Sequence, residues 1–213
     1  MTFVCTSCQR EFHVPPATLA KFPNWTPKTC MKCKTGKTAQ AAKASGVSPR
    51  AMGIEENLTT AEVLEKYTDG PSSGVFTDGA ATPNPGPGGW GAVYVVDGQI
   101  VAEARGHEPH TTNNRMELSA LIAGCKMVPR DQKAVIYTDS ELCVNTITKW
   151  AKAWEARGWR KKDGEIKNLE LVQEAYALVQ QRPGVKLQWV KAHDGTRWNE
   201  YVDALATQAR AGR

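Results

Sequence analysis

From Val75 onward the chain alternates short apolar runs with longer segments of helical spacing, and the change of period locates the elements. Val75-Phe76-Thr77-Asp78 reads as a short strand, followed by a Gly/Pro-rich stretch from Gly79 to Gly89 that predicts a loop. Ala92–Val96 and Ile100–Ala104 flank Asp97-Gly98, the arrangement expected of a β-hairpin. Asn114 to Val128 carries Leu118, Leu121, Ile122 and Cys125 at helical intervals. Ala134–Thr138 has the composition of a buried strand. Helical spacing returns over Glu141–Arg157 and Leu169–Gln181, the latter closed by Pro183-Gly184. Val185, Leu187 and Trp189 alternate on a further strand, and Val202, Leu205, Ala206 and Ala209 mark a last helix. Three strands, a helix, a strand, two helices, a strand and a helix predict an α/β fold, a mixed sheet with helices packed on its faces.

Upstream the pattern weakens. Residues 34–58 are rich in Lys, Thr, Ala, Gln, Ser and Gly, which is linker composition. Thr59–Tyr67 predicts a short helix with Thr59 or Thr60 as N-cap and Glu62 near the third position, stopped by Asp69-Gly70-Pro71-Ser72-Ser73-Gly74. The expected organisation is a small module over 1–36, a linker with a short helix over 37–73, and a main domain over 74–213.

Length and charge refine this picture. The 213 residues allow one domain or one and a half, and 41% hydrophobic residues suffice for a core. The net charge of +5 is unevenly spread: residues 1–50 carry +7, residues 51–74 carry −4, and the rest +2, within which 149–167 carries +4. Two basic islands therefore flank a nearly neutral body. No run approaches ~18 apolar residues, so no membrane span is expected. The start, Met1-Thr2-Phe3-Val4-Cys5, lacks the basic region and apolar core of a secretory signal, so a cytoplasmic location is expected. Six cysteines in that compartment read as free thiols or metal ligands.

Four of them form a pattern. Cys5-Thr6-Ser7-Cys8 and Cys30-Met31-Lys32-Cys33 are two C-x₂-C pairs separated by 21 residues, a spacing that supplies four thiolates to one tetrahedral Zn²⁺. A redox dithiol is the alternative, but its usual βαβ context is missing. Residues 1–36 hold too small a core to fold unaided, so the zinc would be structural. The module resembles a zinc ribbon, and its basic charge fits either a duplex or hybrid nucleic acid or a protein partner.

Carboxylates occupy the places where α/β sheets bind ligands. Asp78 ends the first strand, Asp139 ends the fourth, Glu117 lies near the start of the first long helix, and Asp203 lies on the last helix. If the strands bearing Asp78 and Asp139 are neighbours, two like charges ~4 Å apart repel by roughly 4 kcal/mol at an effective dielectric of about 20. A divalent cation would offset that, and oxygen ligands select Mg²⁺ or Mn²⁺ over zinc.

These residues sit in blocks that carry a resemblance. Thr77-Asp78-Gly79-Ala80, Asn84 to Gly91, Thr111 to Glu117, Tyr137-Thr138-Asp139-Ser140 and Trp189 to His193 strongly resemble type-1 ribonuclease H over residues 75–211, in order and spacing. The resemblance implies a ribonuclease H-like five-stranded mixed sheet, a three-stranded antiparallel meander continuing into two parallel strands. It implies an endonuclease that hydrolyses the RNA strand of RNA–DNA hybrids, leaving 5′-phosphate and 3′-hydroxyl ends. Asp78, Glu117, Asp139 and Asp203 would be ligands to two Mg²⁺ ions, roughly 3.5–4 Å apart, with Mn²⁺ as a possible substitute. His193 matches a loop histidine that moves protons or helps product leave, so its loss should slow the enzyme less than loss of Asp139.

The resemblance also assigns substrate contacts. Asn84, Asn113, Asn114 and Glu141 match positions that read the RNA strand, and Glu141 stands where some members carry glutamine. Thr112 and Asn168 resemble the pair that grips one DNA phosphate. The second basic island falls on the family's basic handle, where Trp159 and Arg160 are expected to meet the DNA backbone, while Trp150 and Trp154, spaced i and i+4, read as helix packing. Phosphate contacts position a duplex without reading bases, so little sequence specificity and a salt-sensitive reaction are expected. The handle and the Asn113-Asn114 pair argue against a DNA resolvase or integrase of related fold, and the complete acidic set argues against an idle hybrid-binding adaptor. A monomer is expected.

Overall fold

In the computed structural model, which describes residues 1–6, 11–14, 26–28 and 58–212, the chain divides into two compact units, 1–55 and 56–213. In the first, β1 (Thr2–Val4) pairs antiparallel with β2 (Glu11–His13), placing Phe3 opposite Phe12 with ring centroids 6.0 Å apart. Cys5 is buried beside this pair; Cys8, Cys30 and Cys33 lie outside the described residues.

The second unit opens with α1 (Thr60–Lys66), whose predicted cap is present: the Thr59 hydroxyl accepts from the Glu62 N–H, and the Glu62 carboxylate accepts from the Thr59 N–H at 2.7 Å. Five strands follow, β3 (Gly74–Ala81), β4 (Gly86–Val96), β5 (Gln99–Thr111), β6 (Ala134–Thr138) and β7 (Val185–Trp189), in the spatial order β5-β4-β3-β6-β7. β3, β4 and β5 form the antiparallel meander, and β6 and β7 add in parallel, which is the expected five-stranded mixed sheet. Asp97 and Gly98 both have positive φ at the β4–β5 turn, the geometry that matches hairpin twist.

Helices cover both faces. α2 (Asn113–Met127) follows β5; α3 (Glu141–Asn145) runs through a π-helical turn (Thr146–Trp150) into α4 (Ala151–Glu155); then come α5 (Leu169–Gln180) and α6 (Arg197–Arg210). Strand alternation sorts the core into two layers. Val75 points to a cluster with Leu121, Ile136, Val172 and Tyr176, while its neighbour Phe76 points to one with Val63, Trp198, Val202 and Leu205. Each large apolar side chain so buried contributes about 1.5–3 kcal/mol. No helix among the described residues is long and apolar enough to cross a membrane.

Two expectations need correction. The stretch from Gly79 to Gly89 is mostly strand: only Thr82–Pro85 leaves the ladder, and β3 and β4 pair from Gly74↔Val95 through Ala81↔Gly88. Its glycines are there for close approach rather than for turning. A Cβ on Gly79 would lie 2.3 Å from the Met116 carbonyl carbon, and one on Gly89 would lie 2.2 Å from the Ala206 carbonyl oxygen. Helix backbones thus rest directly on the sheet, which periodicity cannot register. The helix expected over Glu141–Arg157 also ends early, at Glu155, and is interrupted by the π turn, at whose end Trp150 is 41% exposed while Trp154 packs on the core.

Candidate active site

The parallel pairing of β3 with β6 places Thr77 opposite Thr138, so the next residues, Asp78 and Asp139, emerge side by side. Glu117 joins them from α2, because side-chain-free Gly79 lets that helix settle at Met116–Glu117. The carboxylates of Asp78, Glu117 and Asp139 each offer an oxygen within 4.8 Å of the others. Glu117 Oε2 and Asp139 Oδ1 are buried without a hydrogen-bond partner.

Such a cluster resists ionisation. Burial, then the charges of Asp139 and Asp203, holds the Asp78 carboxyl well above the usual range. Burial, then Asp78 and Asp139, does the same for Glu117, against a hydrogen bond from Ser140. Burial raises Asp139, and His193 pulls it back down. Three closely grouped carboxylates with two orphan oxygens have the donor chemistry of a hard divalent metal site. Mg²⁺ therefore fits the residues present.

Asp203 belongs to an adjoining group. On α6 it lies with Glu200 and His193, each offering an atom within 4.8 Å, and His193 Nδ1 is 3.6 Å from Asp203 Oδ2. Its charge reaches Asp78, so the two groups form one acidic basin. Glu200, 2% exposed, was missed by sequence reasoning; its position three residues before Asp203, on the same helical face, was the available signal.

The remaining sequence-derived candidates fall in two sets. Asn84 and Asn113 interlock the β3–β4 turn with α2: Asn113 N–H donates to Asn84 Oδ1 at 3.3 Å, and Ala81 N–H donates to Asn113 Oδ1 at 2.8 Å. Thr112 is the N-cap of α2 without a side-chain cap bond, and Glu141 is exposed in the first turn of α3. Asn114 and Asn168 line a cavity of about 250 Å³ together with Trp150, Trp154, Lys161 and Lys167. Asn168 sits in the left-handed region, and Arg115, another residue sequence reasoning passed over, donates to its Oδ1 at 3.4 Å and to Glu170 at 2.6 Å. Trp159 is half-buried with its ring edge-to-face on Tyr176, centroids 5.9 Å apart, while Arg160 stands exposed.

With this geometry established, the chain's relatives are informative. The family model described as RNase H matches residues 67–211. A ribonuclease H of Bordetella pertussis is 45% identical over 148 residues, covering 68% of this chain and 93% of the relative. One of Methylorubrum extorquens is 43% identical over 136 residues, covering 64% of this chain and 59% of the relative. Among solved structures, LC9-RNase H1, a type 1 RNase H with the type 2 active-site motif, superposes with a TM-score of 0.54 at 34% identity, covering 68% of this chain and 75% of that one. Motif blocks, sheet order and acidic basin converge with these matches: the chain belongs to the ribonuclease H family.

Proposed function

We propose that the chain is an endoribonuclease that hydrolyses the RNA strand of RNA–DNA hybrids, leaving 5′-phosphate and 3′-hydroxyl ends with little sequence preference. The observation that carries this reading is the trio Asp78 on β3, Glu117 on α2 and Asp139 just past β6, clustered within 4.8 Å with orphaned buried oxygens on Glu117 and Asp139. Its ribonuclease H relatives at about 45% identity support it.

Asp78, Glu117, Asp139 and Asp203 are the residues that would hold two Mg²⁺ ions. When bound, Mg²⁺ or Mn²⁺ supplies activation of the attacking water and charge stabilisation at the leaving 3′ oxygen. The chain's own residues do the rest. His193, beside Asp203, moves a proton or eases product departure. Asn84, Asn113, Asn114 and Glu141 face the RNA strand, where short polar groups read 2′-hydroxyls across the minor groove. Thr112 and Asn168 hold a DNA phosphate, with Arg115 keeping Asn168 aligned. Arg160, propped by Trp159, meets the DNA backbone further along.

The proposal extends to a zinc-ribbon-like module over 1–36, with Cys5, Cys8, Cys30 and Cys33 on one structural Zn²⁺, joined through a linker to a catalytic unit that includes the short helix expected within 37–73 as well as 74–213. The module adds affinity for hybrid or duplex, or contacts a protein. A monomer working in the reducing cytoplasm suits thiolate ligands.

The test is a labelled RNA–DNA hybrid assayed beside single-stranded RNA, duplex RNA and duplex DNA. Cleavage confined to the RNA of the hybrid is expected, and equal cleavage of duplex DNA would overturn the reading.

A further inference from the structure

The family match begins at residue 67, yet the chain folds a helix before it and docks that helix on α6. Val63 of α1 is 1% exposed, packed in the cluster with Trp198, Tyr201, Val202 and Leu205, and Thr60 hydrogen-bonds Tyr201. The chain then runs to the start of α6. Asp69 O accepts from the Arg197 N–H at 2.7 Å, one of the helix-start donors with no partner inside the helix. Gly70, at φ +118°, lies so close that a Cβ there would be 3.0 Å from Thr196 Cβ.

What this contact holds is the loop bearing His193. His193 and Gly195 both occupy the left-handed region, φ 50° and +84°. A non-glycine residue persists there only where its surroundings over-determine it. Gly195 N–H donates to Glu200 Oε1 at 3.1 Å, and the Thr196 N–H donates to Asp194 Oδ1 at 3.0 Å, so the loop is tied to the first turn of α6. That turn is in turn fixed from outside by Asp69 and Gly70. His193 meets Asp203 at 3.6 Å at the far end of the same assembly.

We propose that Leu58–Gly70 is a positioning strap, lying mostly ahead of the segment this chain shares with its family, that keeps His193 registered against Asp203 by clamping the start of α6. The inference rests on the roles read above for those two residues. The clamp itself can be measured without any activity.

The experiment compares the full-length chain with its Gly70→Ala variant, which is strained at that φ and pushes on Thr196. Amide exchange at Gly195 and Arg197 should accelerate about tenfold or more, because their partners loosen without global unfolding. On an RNA–DNA hybrid with Mg²⁺, kcat should fall roughly 3- to 10-fold with KM within about twofold. In a His193→Ala background the same change should add less than about a twofold loss, since the strap acts through that side chain. Unchanged exchange at both amides overturns the strap whatever the activity does. An undiminished kcat loss in the His193→Ala background overturns it as well, marking a purely structural brace. If Gly70→Ala does not fold, Val63→Ala leaves the backbone of 67–70 intact and is held to the same outcomes. A wild-type chain that leaves hybrids uncut, with exchange still accelerated in the variant, defeats the reading of function and leaves the clamp standing.

Discussion

The indole of Trp189 donates from Nε1 to the backbone carbonyl of Asp139 at 3.0 Å. The Val190 N–H already takes the carbonyl of Thr138, at 2.9 Å, so the indole supplies one further rung between β6 and β7, made by a side chain. That rung falls on the residue whose carboxylate stands beside Asp78. A 48% exposed tryptophan thereby has a task that its exposure conceals.

Trp189→Phe keeps a ring and deletes the donor. Stability should fall by about 0.5–1.5 kcal/mol, the net worth of one hydrogen bond. Because small displacements of a reacting group are costly, kcat should drop roughly tenfold. The Mg²⁺ concentration for half-maximal cleavage should rise. Thermal unfolding and a Mg²⁺ titration of hybrid cleavage check both, and an unchanged titration would remove the positioning role.

The acidic basin predicts an inverted pH response in metal-free protein. Asp78, Glu117 and Asp139 hold protons more tightly when folded than when unfolded. Their stabilisation is therefore fully present below the ordinary carboxylate pKa of about 4 and is lost as pH rises through the raised values. In EDTA at neutral pH, Asp139→Asn should melt several degrees higher than wild type, by removing one buried charge. Mg²⁺ should raise the wild-type melting temperature more than that of the variant. Melting curves from pH 5 to 8, with and without metal, decide this, and a variant less stable in EDTA would contradict it.

Much of this arrangement was legible in the sequence. The apolar runs at Val75-Phe76 and Ala134–Thr138 locate two strands leading to Asp78 and Asp139, while the adjacency of those strands entered only as a condition that the parallel pairing of β3 with β6 meets. The glycines from Gly79 to Gly89 misled, because the same residue serves turns and close helix contact, and only three-dimensional packing separates the two. The cap of α1 was readable from Thr59 and Glu62, but its docking on α6 was not, since the short apolar set Val63, Leu64 and Tyr67 names no partner. Arg115 escaped for a similar reason: its role is defined by Asn168, 53 residues away in the chain and a neighbour only after folding.

Asn168 offers a clean separation of folding from binding. It occupies φ 54°, a conformation that glycine adopts without a Cβ penalty, and its side chain makes no cap bond to α5. Asn168→Gly should therefore leave the melting temperature within a few degrees while raising KM for hybrid and weakening its salt dependence, as expected when a phosphate contact is lost. Gel-shift titrations across salt concentrations, alongside melting curves, measure both. Unchanged affinity would take Asn168 out of the DNA-phosphate site.

For the N-terminal module, purified wild-type protein should carry about one zinc per chain, and Cys30→Ser should lose it, because three thiolates leave the tetrahedral shell incomplete. Elemental analysis after dialysis reads the ratio directly. A wild-type chain with no zinc would replace the metal site with free thiols.

The central claim is that the clustered carboxylates perform metal-dependent hydrolysis of hybrid RNA, and the most direct measurement is single-turnover cleavage of an end-labelled RNA–DNA hybrid by wild type, Asp139→Asn and His193→Ala, in Mg²⁺ and in EDTA. Wild type should cut only with Mg²⁺, leaving 5′-phosphate and 3′-hydroxyl ends. Asp139→Asn should lose on the order of a thousandfold or more in rate and His193→Ala distinctly less, since a ligand to the metals carries more of the transition state than a proton carrier. Cleavage that survives EDTA, or that survives Asp139→Asn at the wild-type rate, would contradict the account.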